Sequence, residues 1–203
     1  MTRSWPDTRR LKVGNERGAA GIWLDFFTLP PGSRGKPAWV VQLWWLAQGS
    51  LFGWSPQIFY GWRRFLLRLF GARVGRSVLV RPTVRITYPW KLRVGDFSWI
   101  GDHVVLYTLG DIDIGMQAVV SQKCYLCTGS HDYRKPAFDI YAEPITIGDG
   151  AWLATDVYVA PGVNIGPGAV IGARSSVFED VPEFAVAVGT PARVVRKREH
   201  VQS

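Results

Sequence analysis

The sequence predicts an all-β solenoid, a parallel β-helix, from three observations: a six-residue repeat, small residues at one place of that repeat, and regular interruptions of its register. From residue 147 to 182 an aliphatic residue opens every block: IGDGAW, LATDVY, VAPGVN, IGPGAV, IGARSS, VFEDVP. The fifth place of each block holds a small or β-branched residue. A period of six fits neither an amphipathic helix nor an uninterrupted strand alternation. It fits short strands joined by tight corners around a common core.

The same register extends back toward the N-terminus in groups of three blocks. The groups begin at Val74, Val94 and Ile114, and two-residue slips at 92–93 and 112–113 separate them. Three blocks, roughly 18 residues, make one turn of a triangular coil. With the six blocks of 147–182, the sequence therefore predicts about five coils.

The breaks in the pattern predict the organisation of the chain. Residues 1–72 form an N-terminal extension with two helices, residues 73–183 form the solenoid, and residues 184–203 form a basic C-terminal segment. Within the solenoid the repeat halts over 132–146, which predicts an excursion loop. A loop carried by a rigid scaffold is a common place for a binding or catalytic site.

Two helices are predicted in the N-terminal extension. The first begins near Pro37, and the second has Ser55 as its N-cap, Pro56 at its first position and Gly71 just past its end. Apolar and aromatic residues recur along one side of the second helix. Three arginines occupy the polar side: Arg63, Arg64 and Arg68.

The N-terminal part also carries the positive charge of the protein. Residues 1–81 hold 13 Lys/Arg against 3 Asp/Glu, whereas residues 82–203 hold 11 against 13. Two interpretations of the basic aromatic helix stay open. It caps the open end of the solenoid, or it caps that end and also makes a peripheral membrane contact, with arginines among anionic headgroups.

The sequence predicts a cytoplasmic protein. The first 20 residues are polar and arginine-rich, unlike a signal peptide, and the longest apolar run, 38–47, is too short to span a bilayer. Cys124 and Cys127 form a lone C-x-x-C, which we interpret as two ordinary small residues of a reduced protein.

Three segments give the chain a family resemblance. They are Cys-Tyr-Leu-Cys-Thr-Gly-Ser-His-Asp-Tyr at 124–133, Pro-Ile-Thr-Ile-Gly-Asp-Gly-Ala-Trp-Leu at 144–153 and Val-Gly-Thr-Pro-Ala-Arg-Val-Val-Arg at 188–196. With them, the chain resembles the hexapeptide-repeat acyltransferases. It is most similar to the galactoside, maltose and nodulation acetyltransferases and to those of colanic acid and related exopolysaccharide synthesis, to which 69–75 and 88–92 point in particular.

This resemblance implies a left-handed β-helix, a homotrimer, and direct transfer of an acetyl group from acetyl-CoA to a sugar hydroxyl in surface-glycan synthesis. The acceptor is expected to be a sugar or a lipid-linked sugar, and no nucleic-acid partner is expected. His131 closes the block LCTGSH directly before the excursion loop. Removing a hydroxyl proton near neutral pH is chemistry suited to histidine, and the matching histidine of the family is the general base.

Candidate residues for the acceptor lie in or beside the loop. Trp152 matches a tryptophan that in related acetyltransferases lies near the active histidine and the acceptor. Asp132, Tyr133, Arg134 and Glu143 are candidates for contacting the acceptor or orienting His131. Relatives that act on free sugars place an asparagine in the preceding coil, where this chain has residues 106–108 as Leu-Tyr-Thr; this departure argues against a simple galactoside or maltose acceptor.

For the acyl donor, the resemblance implies a groove between adjacent subunits along the C-terminal coils. By position the donor-binding residues are Thr155, Ala173, Arg193 and Arg196. A small side chain at 173 would let the donor approach the backbone, and arginine suits phosphate recognition. Relatives often have a lysine where this chain has Glu179.

Two alternatives compete with acetyl transfer. A zinc enzyme of the carbonic anhydrase type on the same fold uses three histidines, but only His103 and His131 lie within the predicted coils; we expect no metal. A non-enzymatic scaffold that binds membrane or nucleic acid through its basic N-terminal part would explain the charge, but not the excursion loop at His131.

Overall fold

A computed structural model describes residues 21–30 and 32–199. The predictions made for the first 20 residues, and for the last four residues of the C-terminal segment, lie outside this range. The described chain is a parallel β-solenoid of three faces, preceded by a short helical region. A 3₁₀ turn, Leu24–Phe26, comes first.

The three faces are built from short strands stacked coil upon coil. Face A holds β1 Arg73–Val74, β4 Leu92–Val94, β7 Ile112–Ile114, β12 Ile145–Ile147 and β15 Asn164–Ile165. Face B holds β2 Leu79–Val80, β5 Trp99–Ile100, β8 Val119–Val120, β13 Trp152–Leu153, β16 Val170–Ile171 and β18 Ala185–Gly189. Face C holds β3 Arg85–Ile86, β6 Val105–Tyr107, β9 Tyr125–Cys127, β14 Tyr158–Val159 and β17 Ser176–Val177.

The strand register confirms the predicted coil starts. On face A, Val74 pairs with Val94, Val94 with Ile114, Ile114 with Ile147, and Ile147 with Ile165. The residues that open the six-residue blocks form the core, and the fifth-place residues fill the corners beside them. Cys124 is one of these fifth-place residues; it is buried, its thiol is free, and burial raises the pKa of that thiol to about 11.

The solenoid is longer than the five coils predicted. Val181 bridges to Ile165 on face A, and β18 pairs with β16 on face B. These strands begin a sixth coil, so the sheet continues past the boundary predicted at 183. A final strand, β19 Ala192–Lys197, turns back antiparallel to β18 and ends the sheet.

The predicted helices cover the open end of the first coil. α1 spans Ala38–Ala47 and continues as a π-helical turn, Gln48–Phe52; α2 spans Tyr60–Leu69. Gly71, with φ +93°, ends α2 as predicted. The predicted start was wrong: Ser55 does not cap α2, because its hydroxyl donates to the Phe52 carbonyl.

The basic side of α2 lies against the first coil, with Arg63 buried, Arg64 half-buried and Arg68 exposed. Arg63 is fully buried, and its guanidinium donates to the carbonyls of Val80, Pro56 and Gln57 and to the Ser55 hydroxyl. Arg68 donates to the Val74 carbonyl and Arg64 to that of Val78. The carbonyls of Val74, Val78 and Val80 belong to the first coil, which has no preceding coil to satisfy them. Arginine supplies fixed donors for these carbonyls.

The cap reaches all three faces of the first coil. Besides Arg68 at β1 and Arg63 at β2, the buried Trp44 donates its indole N–H to the Ile86 carbonyl of β3 at 2.7 Å. The cap interpretation of the N-terminal helices is thus supported by contacts at each face. No helix in the described part of the chain is both long and apolar enough to cross a bilayer.

Candidate active site

The predicted excursion loop is a hairpin that leaves the third coil. β10, Gly129–His131, pairs antiparallel with β11, Ile140–Ala142, and His131 lies opposite Ile140. The coil resumes at β12. The hairpin is anchored at its base by the buried Thr128, whose carbonyl accepts the Glu143 N–H and whose hydroxyl donates to the Tyr107 carbonyl.

The imidazole of His131 is held by a backbone carbonyl. Its Nδ1 lies 2.7 Å from the carbonyl oxygen of Phe138. Because a carbonyl can only accept, Nδ1 carries the proton in this arrangement, and Nε2 of the neutral ring keeps its lone pair. The half-buried histidine therefore presents a proton acceptor at Nε2.

Two phenylalanines pack on the His131 ring. Phe138 stacks on it with ring centroids 4.0 Å apart and planes 4° from parallel, and Phe27 lies 5.9 Å away in a tilted arrangement. Phe138 adopts φ +51°, a left-handed conformation that is costly for a bulky residue. The same residue thus supplies both the carbonyl and the stacked ring that orient the imidazole.

Most of the predicted acceptor residues line one cavity. A cleft of about 510 Å³ is bordered by His131, Asp132, Tyr133, Arg134 and Glu143, together with residues of β11. The Asp132 carboxylate pairs with the Arg134 guanidinium at 2.8 Å, and this hydrogen bond lowers the pKa of Asp132. The cavity is therefore lined by charged groups, as expected for a hydroxylated ligand rather than an apolar one.

Trp152 does not line this cavity. It lies on face B in β13, where its indole N–H donates to the Ser121 hydroxyl at 3.0 Å. Within a single chain the predicted tryptophan and the predicted base are therefore on separate sides of the solenoid.

The predicted donor residues gather at the other end of the solenoid. Thr155 and Ala173 lie at the corners between faces B and C in successive coils, linked by the hydrogen bond from the Arg174 N–H to the Thr155 carbonyl. Arg193 and Arg196 follow on β19, where they pair with Val188 and Val186 of β18. Arg193 makes an ion pair of 3.3 Å with Glu179. The Glu179 carboxylate thus partly neutralises the charge of Arg193, one of the two predicted donor-binding arginines.

Comparison with known proteins identifies the family. Residues 144–178 match the bacterial transferase hexapeptide family, described as six repeats. The chain is 59% identical over 175 residues to the proposed colanic acid biosynthesis acetyltransferase WcaF of Escherichia coli strain K12, covering 86% of this chain and 96% of that protein. The chain belongs to the hexapeptide-repeat acetyltransferases.

Solved structures of the hexapeptide-repeat acetyltransferases agree with this fold. A maltose O-acetyltransferase from Clostridium difficile 630 superposes with a TM-score of 0.72 at 28% identity, covering 81% of this chain and 90% of that one. Galactoside acetyltransferase in complex with coenzyme A superposes with a TM-score of 0.74 at 27% identity, covering 84% of each chain.

Membership of the hexapeptide-repeat acetyltransferases argues against the non-enzymatic alternative. The protein is an acetyltransferase, so a purely non-enzymatic scaffold is not supported. For the zinc alternative, no group of three His, Cys, Asp or Glu side chains is placed to hold a metal ion within 21–30 and 32–199. His103 lies exposed at a corner with φ +58°.

Sequence patterns could not reveal two features of this candidate site. The Phe138 carbonyl that orients His131 is a backbone group, and any residue would supply one. Phe27 lies far from the repeat in sequence, in a segment held to the loop by the hydrogen bond from the Trp23 N–H to the Pro136 carbonyl, 2.8 Å.

Proposed function

We propose that this protein is an acetyl-CoA-dependent O-acetyltransferase that modifies a sugar hydroxyl in surface-polysaccharide synthesis, with His131 as the general base. The observation that carries this proposal is the Nδ1 contact of His131 with the Phe138 carbonyl, which leaves Nε2 as a proton acceptor at the edge of a polar cavity. The sugar class is supported by the relatives, whose names specify colanic acid biosynthesis, maltose and galactoside.

The transfer follows from this geometry. His131 Nε2 accepts the proton of the sugar hydroxyl while its oxygen forms a bond to the thioester carbonyl carbon. The carbon–sulfur bond then breaks, and the imidazolium returns the proton to the departing sulfur of coenzyme A. A base poised in this way contributes roughly 10²- to 10⁴-fold to such a reaction.

The donor is proposed to bind along Thr155 and Ala173, with its phosphates near Arg193 and Arg196. The Thr155 hydroxyl donates to the Gln122 carbonyl, so this side chain is held against the solenoid. The side chain at 173 is only a methyl group, so the donor could approach the backbone there. The two exposed arginines provide the positive charge that phosphates require.

A homotrimer is the proposed assembly. His131 lies after the face C strand of the third coil, whereas Trp152 and the donor corner belong to face B and to the later coils. A second copy whose face B meets the hairpin would bring these groups to one place.

A cytoplasmic location stays a prediction from the sequence.

The proposal is tested by His131→Ala. Loss of the only proposed base should lower kcat by at least about a hundredfold, while the melting temperature should stay within a few degrees because the half-buried ring is in a surface hairpin. The measurement is release of free coenzyme A from acetyl-CoA with a surface oligosaccharide pool as acceptor. His103→Ala is the matched control and should keep full activity; an active His131→Ala enzyme would contradict the proposal.

A further inference from the structure

The cap presents an apolar surface to solvent on the side away from the solenoid. Trp44, Phe52, Leu66 and Leu67 fill the inner side of the cap and are buried. The outer side is defined by six large exposed side chains, which we call the outer cap face: Leu43, Leu46, Leu51, Trp62, Phe65 and Leu69.

Contacts join the central side chains of this face. Trp62 donates its indole N–H to the Leu51 carbonyl at 2.9 Å and stacks on Phe65 at 5.7 Å, so α2 is joined to the π-helical turn that continues α1. Leu43 and Leu46 lie one turn apart on α1, as Phe65 and Leu69 do on α2. A contiguous apolar patch on a protein surface commonly marks an interaction site.

The hydrogen bonds of the first coil explain why this surface faces outward. The arginines of α2 must face inward to satisfy the carbonyls of β1 and β2. A helix rotated in this way carries its aromatic side to the solvent. The hydrogen bonds of the cap therefore set the orientation of α2. The side of the helix that this orientation leaves exposed carries aromatic residues and leucines instead of polar residues.

The charge of the same region indicates the partner. Residues 26–95 contain eleven Lys/Arg and no Asp or Glu, and three of these cations, Arg76, Arg81 and Arg93, pair with Asp96, Asp102 and Asp113 of the following coils. Arg34 and Lys36 are exposed just before α1, and Arg73 is exposed just after α2. An apolar face rich in Trp, Phe and Leu and flanked by cations is the pattern of a protein surface that lies in the interface of an anionic bilayer.

We propose that the outer cap face docks the protein onto an anionic lipid bilayer. Pairing with the same face of a second copy is less favourable, because it would bring two regions of positive charge together without intervening carboxylates. In a trimer whose threefold axis follows the solenoid, symmetry would turn all three outer cap faces toward the same membrane.

Docking in this way would place the candidate active site close to the lipid surface. The cap covers the first coil, and the hairpin leaves from β9, two strand spacings along face C from β3. At about 4.8 Å per spacing this is roughly 10 Å from the first coil, and the cap adds about one helix diameter, roughly 10 Å. A sugar attached to a membrane lipid through phosphate would therefore have to span about 20 Å. The docking itself stands apart from the proposed acetyl transfer; only its use for a lipid-linked acceptor rests on that function.

Vesicle flotation with the full chain tests the docking without any acetyl donor or sugar. The protein should float with vesicles of phosphatidylcholine and phosphatidylglycerol at low salt, and binding to phosphatidylcholine alone should be at least about tenfold weaker. Leu46→Glu/Phe65→Glu should lower the partition coefficient on the mixed vesicles at least about tenfold. Met116→Glu, at an equally exposed apolar residue of the solenoid, should bind like the wild type.

A second readout covers the case in which the double variant fails to fold. Brominated phosphatidylcholine in the mixed vesicles should quench the tryptophan fluorescence of the wild-type protein. Wild-type protein that stays in solution, or that floats without quenching, would overturn the proposal. A double variant that floats like the wild type would also overturn it. A third contradicting result would be self-association of the wild type that the double variant loses while it still binds vesicles.

Discussion

His131 and Phe138 show how much of the site depends on single residues. The histidine could be predicted, because it closes a repeat block where the register halts. Its partner could not, because the contact uses a main-chain oxygen that has no sequence signature. The left-handed conformation of Phe138 is the local cost of aiming that carbonyl at Nδ1 while stacking the ring on the imidazole.

Replacement of Phe138 tests this orienting role. Phe138→Leu keeps the main-chain carbonyl but removes the stacked ring, so the imidazole should sample more orientations and kcat should fall roughly tenfold. The KM for acetyl-CoA and the melting temperature should be unchanged, since Phe138 is not among the proposed donor-binding residues. Steady-state kinetics compare it with Phe184→Leu, which also has positive φ, at 53°, near the C-terminal end of the solenoid. Equal kcat for both variants would contradict the orienting role.

Glu179 is a second residue whose effect can be measured. Its ion pair with Arg193 competes with any phosphate for the guanidinium. Glu179→Gln should therefore lower the KM for acetyl-CoA about threefold, the scale of an exposed ion pair, with little change in kcat. Glu183→Gln removes an exposed carboxylate nearby and serves as the control. A higher KM in Glu179→Gln would show that Arg193 does not meet the donor.

At the scale of elements, the cap depends on the geometry of the coil that it closes. The helical spacing in α2 showed that one side is apolar and the other basic, but it could not show which side faces the protein. That choice is made by the unpaired carbonyls of β1, β2 and β3, which exist only once the first coil has formed. One of the four hydrogen bonds of the buried Arg63 is to this edge, at the Val80 carbonyl, and the other three are to residues 55–57 before α2.

The cap should lose stability when Arg63 is replaced. Arg63→Met fills a similar volume but leaves three carbonyls and the Ser55 hydroxyl without this donor, so the free energy of unfolding should drop by about 3 kcal/mol. Arg64→Met removes one half-exposed bond, to the Val78 carbonyl, and should cost less than about 1 kcal/mol. Urea unfolding measures both. Similar values for the two variants would argue against the cap role of Arg63.

At the scale of the whole molecule, the repeat made the architecture predictable. Each block contributes one buried aliphatic residue and one small corner residue, so the six-residue period sets both the strand pairing and the core. The sixth coil was missed because its residues, 181–189, depart from the block pattern while still pairing with face A and face B. The block order also separates Trp152, on face B, from His131, which follows face C; only the family resemblance had grouped the two residues.

Mass spectrometry of the acceptor tests most directly whether His131 supports direct transfer of an acetyl group. Purified protein is incubated with acetyl-CoA and a pool of surface-polysaccharide oligosaccharides or their lipid-linked precursors, and the sugars are analysed by mass. The wild type should form a product that is heavier by one acetyl group and that mild alkali hydrolyses as an ester. His131→Asn should not form this product. An acetylated sugar produced equally by both proteins would contradict it.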